Sequence, residues 1–150
     1  MLHTSDRAGT AVPAPVHFAV LAWLVAIAAG VVETLVRLAL PDPPTGTELV
    51  LRCTLYAGLA LLVLALRTGR RAVRWAVTLL LGVVGLLSLV VEPAAWVLAG
   101  GSVPAYLGSA DAETWLIVLP RALHIGAVLA ALVALYRPAA NTFFRRRRIS

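Results

Sequence analysis

Six ionisable side chains interrupt the long apolar stretches of this sequence. They are Glu33, Arg37, Arg52, Glu92, Arg121 and His124. Glu33 and Arg37 are four residues apart, so on a helix they share a face and can form an ion pair. Arg121 and His124, three residues apart, share a face in the same way. Such a cluster can bind an ion, a proton or an anionic lipid group, or it can be a salt bridge that sets the helix register.

The remaining residues give little support to catalysis or metal binding. The other histidines, His3 and His17, lie in or near the N-terminal segment, away from His124. No Ser-His-Asp set, H-E-x-x-H motif, paired aspartates or glycine-rich phosphate loop can be assembled. The single cysteine, Cys53, excludes an intramolecular disulfide and is expected to be a small buried hydrophobe. We therefore expect no catalytic residue, metal or cofactor, and no enzyme.

The composition indicates that these charges lie in a membrane protein. Of 150 residues, 61% are hydrophobic and 13% are charged, whereas soluble domains carry about 25% charged residues. A chain so poor in charge cannot cover its surface in water, so lipid is the expected solvent. The formal net charge of +6 comes from arginines near helix ends rather than from a basic patch. We expect the lipid bilayer, and no nucleic acid, as the partner.

The apolar runs predict an all-α membrane protein, a bundle of four transmembrane helices. The spans are predicted at 16–40, 48–66, 72–91 and 113–136, each long enough to cross a core of about 30 Å. Residues 1–15 are expected to form a cytoplasmic tail and residues 138–150 a basic cytoplasmic tail. The third span is expected to close at Glu92-Pro93, because proline disrupts helices. Residues 94–112 are too interrupted to span and suit an interfacial loop or half-helix.

The arginines predict the orientation. They occur in the N-terminal tail, in residues 67–74 and after the last span, while residues 41–47 and 92–112 contain none. Because cytoplasmic loops are enriched in basic residues, we expect both ends of the chain in the cytoplasm, an N-in/C-in topology. Glu33, Arg37, Arg52, Glu92 and Arg121 would then lie in the outer half of the membrane, and His124 near its middle.

Two further features of the sequence are stripes of small residues within the spans and a run of arginines near the C-terminal end. Stripes of small residues occur in three spans, at Ala22, Ala26, Ala29, Gly30, Thr78, Gly82, Gly85, Ser88, Ala127 and Ala131. Such stripes allow helices to approach closely in lipid. The arginines Arg145, Arg146, Arg147 and Arg148 follow Phe143-Phe144 and are expected to contact anionic lipid headgroups, at about 1 kcal/mol for each basic residue.

Two stretches resemble sequences of small actinobacterial membrane proteins with four spans. Residues 67–75, RTGRRAVRW, resemble the R-x-G-R segment with further arginines that precedes a span in those proteins. Residues 137–145, RPAANTFFR, resemble the P-x-x-N-x-aromatic-aromatic-R segment after their last helix. The resemblance implies a multi-pass protein of the bacterial plasma membrane, and it assigns no catalytic or binding residue. Pro138 would end the last span, and Phe143-Phe144 would lie at the membrane interface.

These observations support two functions. The first is a non-enzymatic assembly or accessory subunit that associates, through its small-residue faces, with itself or with another membrane protein. The alternative is a small transporter or lipid-handling subunit that uses the outward-facing Glu/Arg/His cluster. Small multidrug transporters also carry a glutamate in the first of four spans. Here, however, Glu33 lies toward the outer end, and the intramembrane arginines would repel cationic drugs.

Overall fold

The computed structural model describes residues 11–41 and 43–146, apart from the side chains of Glu92 and Arg146. Within those ranges the regular structure is helical and contains no strand. Four segments are long and apolar enough to cross a membrane: Ala14–Leu38, Gly46–Thr68, Arg71–Leu98 and Ala112–Leu135. The prediction of an all-α protein with four transmembrane helices is confirmed. The N-in/C-in orientation stays a prediction, and Arg7 and Asp42 lie outside the described residues.

The helices follow one another with short connections. In chain order they are α1 (Ala14–Leu38), α2 (Gly46–Leu64), α3 (Arg71–Val77), α4 (Leu86–Leu98), α5 (Val103–Gly108), α6 (Ala112–Leu135) and α7 (Pro138–Arg146). A 3₁₀ turn, Ala65–Thr68, extends α2. A π-helical stretch, Thr78–Gly85, joins α3 to α4, and together they form the third span, Arg71–Leu98.

Local signals explain where the helices begin. Pro15 lies in the first turn of α1, where its missing N–H leaves no helical bond unmade. At the start of α2, the Thr45 hydroxyl accepts from the Glu48 amide at 3.3 Å, and the Glu48 carboxylate accepts from the Thr45 amide at 2.8 Å. Asp111 caps α6 by accepting from the Thr114 amide at 2.8 Å. That hydrogen bond, with a second from the Thr114 hydroxyl, lowers the pKa of Asp111.

The third span is longer than the sequence predicts. The expected end at Glu92-Pro93 is wrong, because the helix continues to Leu98 and the chain turns at Gly100, whose φ is 96°. Pro93 removes one backbone hydrogen bond, whereas ending the helix there would leave several backbone groups without partners in lipid. The helix therefore continues to a glycine that tolerates the left-handed turn.

Residues 94–112 contain the end of α4 and the short helix α5. The rings of Trp96 and Tyr106 meet edge to face, with centroids 5.7 Å apart. Gly101 lies directly against the Trp96 indole, since a Cβ at this position would be 2.4 Å from its Cδ2. Glycine is therefore required where the connection folds back under the tryptophan. The segment is a half-helix held by two aromatic side chains.

Packing is centred on one pair of helices, α1 against α6. α2 packs on α1, and the π-helical stretch and α4 pack on α6. α3 contacts α2 and α7, whereas α2 and α4 share no packed interface. We call the end of the bundle with residues 69–70 and α7 the closed end, and the end with residues 39–45 and 99–111 the open end.

The buried apolar core occupies the closed end. Its largest fully buried side chains are Trp23, Phe144, Leu66 and Leu135. α2 buries only Val63, and α4 buries none of its described side chains. Toward the open end, α2 packs on α1 and α4 packs on α6, and the two outer helices share no packed interface among the described residues. We call the space between α2 and α4 the cleft.

Candidate functional site

Glu33 joins α1 to α6 through a single carboxylate oxygen. Its Oε1 accepts hydrogen bonds from Arg37 Nη2 and from Arg121 Nη2, both at 3.1 Å, and a longer one from Arg37 Nε at 3.4 Å. Arg37 follows Glu33 by one turn of α1, whereas Arg121 is supplied by α6. Glu33 is 9% exposed, so its charge is held inside the protein by two guanidinium groups. The spacing in α1 predicts that Glu33 pairs with Arg37, and in the structure Arg121 of α6 contacts the same oxygen as well.

The third member of the cluster, His124, lies one turn of α6 beyond Arg121, toward the closed end. Its side chain is half-buried, and its Nδ1 is buried without a hydrogen-bond partner among the described residues. The same holds for Arg121 Nε. Most buried polar atoms in proteins have a partner. Two buried nitrogens of the cluster, His124 Nδ1 and Arg121 Nε, therefore form no hydrogen bond with the described part of the chain.

A neutral hydrogen-bond network connects this region to α2. The Tyr56 hydroxyl donates to the Gly30 carbonyl at 3.0 Å and lies 3.0 Å from the Thr34 hydroxyl, which donates to the same carbonyl at 2.9 Å. A Cβ at Gly30 would be 3.3 Å from the Tyr56 ring, so glycine allows this close approach. The sequence arguments missed Tyr56. A tyrosine within an apolar span was the available signal, since a buried hydroxyl usually needs a partner.

Helical spacing turns the charged cluster toward the cleft. Arg37 follows Gly30 by seven residues and so lies on the α1 face that contacts α2. Arg121 precedes Leu132 by eleven residues, and Leu132 packs against the third span, where a Cβ on Gly82 would be 2.9 Å from its Cδ2. Glu33, between the two arginines, thus lies on the floor of the cleft.

Two residues expected in the cluster are not brought into it. Arg52 lies on α2, one turn after the Glu48 cap, and forms no salt bridge with a described residue. Glu92 lies in the third span, and its side chain is outside what the structure describes. The charged site defined by contacts therefore consists of Glu33, Arg37 and Arg121, with His124 below it.

The sequence arguments did not predict a second polar group, which lies at the closed end. The Arg74 guanidinium lies 4.1 Å from the Tyr136 ring centroid and 5.2 Å from that of Phe144. Arg74 also donates to Asn141 Oδ1. The hydroxyls of Thr78 and Tyr136 are 3.0 Å apart. These contacts bind the start of the third span to the end of α6 and to α7.

Phe143 and Phe144 are buried against the protein rather than exposed to lipid, and their expected position at the membrane interface stays a prediction. Residues 138–146 form α7, in which Ala140, Phe143 and Phe144 are buried in the core. The apolar face of α7 covers the closed end of the bundle, where Arg74 provides a cation for its aromatic ring. Arg145 is exposed, whereas the Arg146 side chain, Arg147 and Arg148 lie outside the described residues. The proposed lipid contacts of these arginines stay a prediction.

The expectation that Cys53 is buried is also wrong, because its side chain is exposed on α2. Among the small residues, Ala26, Ala29 and Gly30 of α1 are buried, whereas Ser88 of the third span is exposed. In lipid, an apolar residue is equally stable on the outer surface and inside the bundle. Hydrophobicity therefore does not predict which side of α2 is covered.

Comparisons of the chain with protein-family models, with curated proteins and with solved structures found no match. The functional interpretation consequently rests on the geometry of the chain itself. Its four apolar helices, each of at least 23 residues, are suited to crossing a bilayer. The chain is a multi-pass membrane protein in which a three-residue ionic cluster joins α1 to α6.

Proposed function

We propose that this protein is a non-enzymatic assembly or accessory subunit of the bacterial plasma membrane, with both ends in the cytoplasm. The observation that carries the proposal is the sparse packing of α2, which buries only Val63 within the chain. A helix that crosses the bilayer with so little internal contact is available to a neighbouring protein. The arginines of residues 67–74, with Arg137 and Arg145, gather at the closed end and support its cytoplasmic placement.

The exposed surface of α2 suits contact with another helix. Cys53, Thr54, Ala57 and Gly58 are all exposed, and a Cβ on Gly58 would have no atom within 4 Å. Small residues at spacings of three and four allow helix backbones to approach closely, and van der Waals packing then stabilises association in lipid. Larger apolar residues, such as Leu61, lie beside them and extend the contact. We therefore assign α2 as the assembly face.

Cys53 provides a direct test because it is the only cysteine of the chain. Oxidative cross-linking in native membranes should give a covalent dimer if α2 faces a second copy, or an adduct of another mass if it faces a different subunit with a nearby thiol. Cys53→Ser should abolish either product. Gly58→Leu should reduce it, because the larger side chain fills the close-approach position, whereas the conservative Leu55→Ile should not. Free monomer whose thiol reacts fully with a membrane-permeant maleimide would contradict assembly through α2.

A second function, a small transporter or lipid-handling subunit, is supported by the position of the Glu33 cluster in the cleft. Arg37 and Arg121 keep 38% and 24% of their side chains exposed although their partner carboxylate is buried. Intramembrane charges in contact with a cleft are typical of ligand or ion pathways. In cells lacking the native gene, the variant Glu33→Gln/Arg121→Gln should be inserted at normal levels but should not restore the phenotype. Full restoration by this variant would exclude a role for the cluster in handling a ligand.

A further inference from the structure

Among the side chains that the structure describes, the charges of the Glu33 cluster do not balance. Among residues with described side chains, Glu33 is the only carboxylate that contacts Arg37 or Arg121, so two guanidinium groups share one negative charge. An unpaired charge within a membrane-spanning helix is unfavourable. A bound anion would supply the missing negative charge.

The two guanidinium groups are close enough to act on one ligand. Both Nη2 atoms lie 3.1 Å from the same oxygen, Glu33 Oε1, so the oxygens of a single phosphate can reach both side chains. Each guanidinium has five N–H donors, and Glu33 engages two from Arg37 and one from Arg121. Donors therefore remain on both groups, and both side chains are partly exposed. Glu33 acts as a positioning residue that holds them side by side.

The depth of the cluster suits a lipid headgroup. Arg37 is in the last turn of α1, and Glu33 precedes the end of that helix by about 7 Å at 1.5 Å per residue. The arginines can therefore extend toward the headgroup level while their stems stay in apolar surroundings. α2 and α4 carry exposed leucines and valines, such as Leu51 and Val90, and such side chains are compatible with acyl chains.

We propose that the cleft binds an anion bearing one phosphate group, held by Arg37 and Arg121, and that this group is the headgroup of an anionic phospholipid. The proposal rests on the ligand-handling function described above and names its ligand. Phosphate matches the planar, multiply donating guanidinium better than a halide does, because several of its oxygens can accept hydrogen bonds at once. A monoanionic phosphodiester would neutralise the single excess positive charge of the cluster.

The test is a lipid titration of the full chain in neutral detergent, followed by non-denaturing mass spectrometry. The probes are phosphatidylglycerol, phosphatidylcholine and inorganic phosphate. Wild type should bind phosphatidylglycerol more tightly than phosphatidylcholine, and Arg37→Gln should weaken the phosphatidylglycerol binding at least about tenfold, since charged hydrogen bonds are lost. Arg37→Gln leaves the neutral Glu33–Arg121 pair and should fold. The matched control, Arg70→Gln, removes an arginine at the closed end and should bind like wild type.

Each result decides the proposal. Equal phosphatidylglycerol binding by wild type and Arg37→Gln, or no preference over phosphatidylcholine, would overturn it. Binding of inorganic phosphate that depends on Arg37 and displaces the lipid would keep the phosphate site but reject the lipid as its source. If Arg37→Gln fails to fold, Arg121→Gln gives the same comparison, because Glu33 then remains paired with Arg37. A third outcome is that Glu33→Gln/Arg121→Gln fails to complement while wild type binds neither phosphatidylglycerol nor inorganic phosphate. That outcome would retain the ligand-handling function and reject a phosphate-bearing ligand.

Discussion

At the scale of single residues, the ionic cluster is asymmetric. Glu33 contacts both arginines, whereas each arginine has Glu33 as its partner among the described residues. Removing either arginine leaves a neutral pair. Removing Glu33 leaves two guanidinium groups close together without a counter-charge among the described side chains. Loss of Glu33 should therefore lower the free energy of unfolding more than loss of either arginine, because Glu33 contacts both of them.

Glu33→Gln is expected to lower the free energy of unfolding by about 3–5 kcal/mol, the range for breaking a buried ion pair by removing one partner. Arg37→Gln should cost less, because the Glu33–Arg121 pair survives. Glu33→Gln/Arg121→Gln should recover much of the stability lost in Glu33→Gln, since the remaining Arg37 is partly exposed at the end of α1. Unfolding in detergent measures these differences.

His124→Gln serves as the comparison within the same cluster. An uncharged polar replacement should be tolerated if the histidine only packs beneath Arg121. Equal stability of Glu33→Gln and wild type would contradict a buried ion pair and would place the cluster in water or among headgroups. A Glu33→Gln/Arg121→Gln variant less stable than Glu33→Gln would contradict mutual compensation between the two charges.

At the scale of secondary-structure elements, α7 has the largest effect on how the closed end of the bundle is packed. It returns from Pro138 to cover the closed end, and its buried Phe143 and Phe144 belong to the core that α1, α2, the third span and α6 also form. Arg74 belongs to the stretch 67–75, and Asn141 and Phe144 belong to the stretch 137–145. Residues 67–75 and 137–145, which are distant in sequence, thus meet in one contact.

Phe144→Ala should detach α7, because removing a buried phenylalanine costs about 3–5 kcal/mol and the helix has few other buried contacts. Arg74→Gln should have a weaker effect in the same direction, since it removes the contacts with the rings while keeping some hydrogen-bonding capacity. The measurement is the rate of tryptic cleavage at Arg145 in the folded protein. Ala139→Ser, on the exposed side of α7, is the control and should cleave at the wild-type rate. Unchanged cleavage in Phe144→Ala would show that α7 is held by other contacts.

At the scale of the whole molecule, the two ends of the bundle differ in packing and in charge. The closed end contains most of the buried core and the exposed arginines Arg67, Arg70, Arg71, Arg137 and Arg145. The open end contains the cleft, the half-helix α5 and the exposed Asp111. From the distribution of basic residues we expect the closed end to lie in the cytoplasm and the cleft to open to the outer leaflet.

Reporter fusions test this orientation. Reporters after Ser150 and within residues 67–74 should indicate the cytoplasm, and reporters within 41–47 and 94–110 the exterior. The reason is that arginines are found in residues 67–74 and 137–148 but not in residues 41–47 or 94–110. Fusions within 94–110 also test the length of the third span. A cytoplasmic signal from that region would contradict a topology of four spans and would move the cleft to the other side of the membrane.

The sequence alone determined the number of spans and their approximate limits, because a helix in lipid satisfies its own backbone and needs only a sufficient run of apolar residues. It also indicated that Glu33 would pair with an arginine, since isolated charges are costly in lipid. Only the tertiary structure decided that both arginines share Glu33, that Cys53 is exposed, that α7 enters the core and that the third span passes Pro93. The physical reason is that apolar side chains are stable both against lipid and against protein. The packing of one helix against another is therefore set by shape and by a few polar contacts between residues distant in sequence. A local sequence pattern does not predict those contacts.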